Sequence, residues 1–78
     1  MKHDVQRIKE TYVQGMRVRL LKMNDIQAPP KGCEGTVRGV DDIGSVLVVW
    51  DNGSMLNVVL DEDEIEIVSG GETNAVLS

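Results

Sequence analysis

Seventy-eight residues are enough for one domain, and a domain of this size buries only about 60% of the surface its unfolded chain exposes. One cysteine (Cys33) and one histidine (His3) exclude an internal disulfide and a tetrahedral zinc site, and no run approaches the roughly 20 apolar residues that span a bilayer. The net charge of −5 hides a division: positions 1–40 hold all eight Lys and Arg residues with four acids, whereas positions 41–78 hold nine acids and no base.

In chain order, residues 4–12 read as a short helix, with Asp4 as N-cap and Val5, Ile8 and Tyr12 on one face. Gly15 ends that pattern. Met16 to Leu21 reads as a first strand, with Val18 and Leu20 alternating against Arg17 and Arg19. A long loop from Met23 to about Gly32 follows, because Pro29 and Pro30 lack the donors of a paired strand. Glu34 to Val40 is a second strand, and Asp41-Asp42-Ile43-Gly44 is a turn. Residues 45–50 and 54–60 read as a hairpin around Asn52-Gly53, with a two-residue type I′ turn that needs positive φ at both positions. Asp61-Glu62-Asp63 is one polar helical turn. Glu64 to Val68 alternates with period two and closes the domain, and a loose tail starts at Ser69.

The sequence thus divides into a helical segment at 1–14, a β domain at 15–68 and a flexible tail at 69–78. A strand, a long loop, three short strands with tight turns, one helical turn and a final strand point to an all-β, five-stranded SH3-like barrel with a short N-terminal helix. The expected core is Val18, Leu20, Val37, Val46, Val48, Trp50, Leu56, Val58, Ile65 and Ile67.

Gly15 to Leu20, Pro30-Lys31-Gly32-Cys33-Glu34-Gly35-Thr36-Val37 and Val48 to Gly53 together resemble a family of small bacterial and phage proteins of unknown function, common in mobile elements. Lys31-Gly32-x-x-Gly35-x-Val37 resembles the core of the KOW motif of ribosomal proteins and elongation factors. Gly35-Thr36-Val37 with Trp50 to Gly53 is similar to Mind-bomb-type domains, which bind protein segments. All three resemblances imply an SH3-like barrel. They imply different ligands.

Catalytic chemistry finds no support in the residues: there is no nucleophile with a base, no paired acid and base, and no phosphate loop. No cofactor, metal or small-molecule substrate is expected, and no membrane contact. The single free thiol and the absence of an apolar leader in Met1 to Arg7 fit the cytoplasm. If Val46, Val48 and Trp50 point inward, Leu47 and Val49 point outward, where a lone barrel wants polar residues. Either the helix covers them with Val5, Ile8 and Tyr12, or a partner does, which includes a second copy. The leading expectation is therefore a non-catalytic module that binds a protein partner or itself. The alternative is nucleic-acid or ribonucleoprotein binding through Arg17, Arg19, Lys22, Lys31 and Arg38, set against an ordinary solvated face neutralised by acids such as Glu64 and Glu66.

Overall fold

The computed structural model describes residues 4–70. Helix α1 (Val5–Thr11) begins where Asp4 caps it, its carboxylate accepting the Gln6 N–H at 3.0 Å. It ends at Tyr12, whose N–H still donates to the Ile8 carbonyl at 2.9 Å. Four strands follow: β1 (Arg17–Lys22), β2 (Glu34–Val40), β3 (Val46–Trp50) and β4 (Glu64–Ser69). They form one antiparallel sheet in the order β3-β2-β1-β4.

The alternation of apolar and polar residues places Val18 and Leu20 of β1, Val37 of β2, and Val46, Val48 and Trp50 of β3 on one face, each 2% exposed or less. Val58, Met16 and Ile8 complete this core, so α1 contributes its Ile8 side chain to it. Fully burying a side chain such as Leu20 stabilises the fold by about 1.5–3 kcal/mol.

The sheet is open, and the expected five-stranded closure is not formed. Residues 54–60 run antiparallel to β3 but meet it in a single bridge, Val46 to Val58, with bonds of 2.9 and 2.8 Å in the two directions. Side chains interrupt the ladder between that bridge and the turn. The Trp50 indole Nε1–H donates to the Leu56 carbonyl at 2.9 Å, and the Leu56 N–H turns to the Ser54 hydroxyl at 3.4 Å. The corner also differs from the expected type I′ turn. Gly53 N–H donates to the Trp50 carbonyl at 2.9 Å, and Trp50 N–H to the Ser54 carbonyl at 2.8 Å, which makes a three-residue loop of Asp51, Asn52 and Gly53. Gly53, at φ +92°, takes the left-handed position, and the Asn52 carboxamide oxygen accepts the Ser54 N–H at 3.0 Å.

Two of the expected core residues lie outside it. Ile67 is 47% exposed because β4 is an edge strand with no layer over its end among the described residues, and Leu56 is half-buried because its run leaves the sheet. Ile65 is half-buried and packs against the core margin. The polar turn at 61–63 forms as expected, with Glu62 and Asp63 N–H both donating to the Val59 carbonyl, at 2.9 and 2.7 Å. Ser69, expected in the tail, is the last residue of β4. The rest of that tail from 71 onward, and His3, lie outside the described residues.

Candidate functional site

Two features stand out on the surface. The first is a groove of about 440 Å³ at the end of the sheet where α1 meets the turn before β3, lined by Val5, Ile8, Ile43, Gly44, Val59 and Leu60 among others. Its floor depends on Gly44. This residue has φ +88°, and a Cβ there would sit 3.2 Å from Ile8 Cδ1 and 3.4 Å from Val5 Cγ2, so a glycine lets the helix rest on the turn. Asp41 holds that turn rigid. Its Oδ1 accepts the N–H groups of Ile43 (3.1 Å) and Ser45 (2.8 Å), its carbonyl accepts Gly44 N–H (3.1 Å), and its own N–H donates to the Ser45 carbonyl (3.0 Å). The turn thereby displays Ile43, which is 83% exposed, beside Val59, also exposed. Asp61 lines the groove, Glu62 follows it, and Asp42 stands on the turn with Lys9 at 3.9 Å.

The second feature is an ion-pair network on the outer face of the sheet. Cross-strand partners share a face, so Thr36 and Glu34 flank Arg17 and Arg19 from β2, and Glu66 faces Arg19 from β4. The Arg17 guanidinium bonds the Asp51 carboxylate with both terminal nitrogens, at 2.9 and 2.6 Å, and also reaches Thr36 Oγ1 (2.9 Å) and Glu34 (3.3 Å). Arg19 bonds Glu66 and, at 3.3 Å, the other oxygen of Glu34. The hydrogen bonds that Arg17 donates hold the Asp51 carboxyl below its ordinary value, and acceptance by Asp51 and Glu34 raises the Arg17 guanidinium further.

These placements sort the residues singled out from the sequence. Val5 and Ile8 reach the groove, while Tyr12 packs against the core margin. Leu47 (half-buried) and Val49 (37% exposed) lie on β3, and Val49 shares the outer face with Thr36 and Arg17. α1 packs against β2 and the 43–45 turn, where Val5 and Ile8 meet Gly44. Arg17 and Arg19 are engaged by acids; Glu66 was among those expected to neutralise them, whereas Asp51 and Glu34 were not. Lys22, Lys31 and Arg38 are exposed without an ion pair to any described residue, and they are split between the two ends of the sheet, Lys22 and Lys31 at one and Arg38 at the other. Ile43, Val59 and Leu60 were not foreseen. The available signal was an isoleucine at the tip of a turn otherwise made of Asp and Gly.

Among the described residues no cluster of His, Cys, Asp and Glu is placed to hold a metal ion, and no helix is long and apolar enough to cross a membrane. Cys33 is half-buried, with its thiol 3.5 Å from the Glu34 carbonyl.

A family model, described as a domain of unknown function (DUF4314), matches residues 1–68. The chain belongs to this DUF4314 family. The match takes in α1 and the whole sheet up to Val68, so both the groove and the ion-pair network lie inside the DUF4314 domain. No curated protein and no solved structure matches the chain.

Proposed function

We propose that the chain is a non-catalytic interaction module that binds a protein partner through the groove between α1, the 41–45 turn and residues 59–61. The observation that carries this reading is Ile43. A large apolar side chain is held out to water by a turn whose every backbone bond returns to Asp41 or Ser45, beside a recess lined by Val5, Ile8 and Val59. A turn that only connects two strands gains nothing from an exposed isoleucine, whereas a pre-ordered apolar anchor lowers the ordering cost of binding. The acids Asp42 and Glu62 beside the recess favour a partner segment in which Lys or Arg flanks the apolar residues. We read the fold as an open relative of the SH3-like barrel, in which residues 54–60 stand where a fourth barrel strand would lie.

Nucleic-acid binding through the KOW-like stretch is the weaker reading. Arg17 and Arg19 would have to leave Asp51, Glu34 and Glu66 to reach a phosphate, and Lys22, Lys31 and Arg38 form no continuous strip.

The test takes a partner captured from the native host, purifies it, and measures its affinity for the parent, for Ile43→Asp and for Val49→Asp. Loss of at least tenfold with Ile43→Asp alone supports the groove. Equal affinity for parent and Ile43→Asp overturns it. A parallel titration with RNA and DNA at low salt should show no binding; binding that weakens steeply with salt would instead favour the KOW-like reading.

A further inference from the structure

The sheet has two edges, and they are treated differently. The β3 edge is partly covered by residues 54–58 through the Val46–Val58 bridge and the Trp50–Ser54 bond. The β4 edge has no strand beside it among the described residues.

The bonding pattern shows which backbone groups that edge offers. Leu20 N–H donates to the Cys33 carbonyl and Leu20 O accepts from Gly32, so Leu20 turns its backbone groups toward β2. Neighbouring residues of a strand bond to opposite sides, so Arg19 turns toward β4, where Glu66 is its partner. Glu66 therefore bonds inward to β1, and the N–H and C=O groups of Ile65 and Ile67 point to the unoccupied side. The same two residues carry the apolar side chains of β4. They lie opposite Leu20 and Val18, on the core face of the sheet, yet Ile67 is 47% exposed. Both the hydrogen-bonding groups and the apolar face of this edge are thus incomplete at one place. The bulge at Val68, where the register with β1 shifts, marks the end of the regular edge.

The opposite face of β4 carries Glu64 and Glu66. Glu66 joins a network of two arginines and three carboxylates, which leaves one carboxylate in excess, while Glu64 stands opposite Lys22 of β1, so the excess on this face comes from the network. Two copies of β4 pairing edge to edge would bring these glutamates together, a like-charge arrangement that opposes self-association.

We propose that the β4 edge is a second docking surface, separate from the groove, which takes an extended segment of a partner protein as an added antiparallel strand. The segment alternates Lys or Arg with apolar residues. Its apolar side chains cover Ile65 and Ile67, its basic side chains face Glu64 and Glu66, and its apolar positions exchange backbone bonds with Ile65 and Ile67.

The test uses the parent chain and four capped hexapeptides: alternating lysine and valine, the same peptide N-methylated at its valines, the same N-methylated at its lysines, and alternating glutamate and valine. The valine amides are the ones that bond to β4; the lysine amides point away. NMR titration should move the Ile65 and Ile67 amides and slow their hydrogen exchange. Affinity should fall at least tenfold with the valine-methylated peptide and stay within about twofold with the lysine-methylated one. Equal affinity of the two methylated peptides, equal binding of a glutamate–valine hexapeptide, or slow exchange of both amides in the free chain would each overturn the proposal. So would a concentration-dependent dimer that protects the same amides. An Ile43→Asp chain should bind the peptide as the parent does, so the groove and the edge fail or stand independently.

Discussion

The packing of Trp50 against Gly35 makes a sharp stability prediction. Gly35 lies opposite Trp50 in the β2–β3 pair, and a Cβ at this position would fall 2.6 Å from Val48 Cγ1, 2.9 Å from Trp50 Cε3 and 2.9 Å from the Val49 carbonyl oxygen. The last of these is backbone of the adjoining strand and cannot rotate away. Gly35→Ala must therefore push β2 from β3 or push the indole from its site. Overpacking of this kind costs about 1–3 kcal/mol. Displacing the indole also weakens its bond to the Leu56 carbonyl, for about 1 kcal/mol more. The smaller entropy of the unfolded alanine chain offsets about 0.4–1 kcal/mol. The net loss is about 2 kcal/mol, a fall in Tm of roughly 8–16 °C for a domain of this length. Urea titration followed by the fluorescence of Trp50, the sole tryptophan, measures both stability and the environment of the indole. An unchanged midpoint with unchanged emission would refute the packing argument. Gly53→Ala is the contrast. It meets nothing within 4 Å, so its cost of about 1 kcal/mol comes from φ +92° and should leave the emission of the folded state unmoved.

Three further outcomes follow from the same geometry. Val48→Ala removes two buried methyl groups at a residue 1% exposed and should cost about 1–3 kcal/mol; thermal midpoints equal to the parent would contradict its placement. Ile67→Thr, at the open edge, should change stability by less than about 1 kcal/mol by the same urea assay. Because Arg17 holds the Asp51 carboxyl below its ordinary value, the folded state favours the ionised form. That stabilisation is complete above the usual aspartate range and is lost as pH falls through the lowered value. The drop in urea midpoint between pH 7 and pH 2.5 should accordingly be smaller in Asp51→Asn than in the parent, and an identical drop would show that the pair does not bear on stability.

The strands were legible where alternation was strict. Val18 and Leu20 against Arg17 and Arg19, and Val46, Val48 and Trp50 against Leu47 and Val49, gave the correct faces, because a period of two admits one assignment once a face is buried. Asn52-Gly53 located the corner but not its form: a glycine in the left-handed position serves a three-residue loop as well as a two-residue one. The run Met55-Leu56-Asn57-Val58-Val59-Leu60 predicts a strand over residues 54–60. What diverts them is the indole of Trp50 taking the Leu56 carbonyl, a bond between side chain and backbone that no local pattern announces. Alternation puts Ile67 on the core face, but it reports which face a residue occupies and says nothing of whether another layer covers it. At the candidate site, the helix stripe gave Val5 and Ile8. Ile43 and Val59 come together only once α1 has settled on Gly44.

The seating of β1 between β2 and β4 imposes an order on folding. Arg19 and Glu66 are 47 positions apart, so the first strand acquires its second neighbour only after nearly all of the described chain exists. A ribosome-bound fragment ending before residue 64 can assemble the β1–β2–β3 meander, but one flank of β1 is then bare and Arg19 lacks its β4 carboxylate. Local pairings form early and the long closure last, so a nascent chain passes through a stage in which a strand that ends up interior is still an exposed edge.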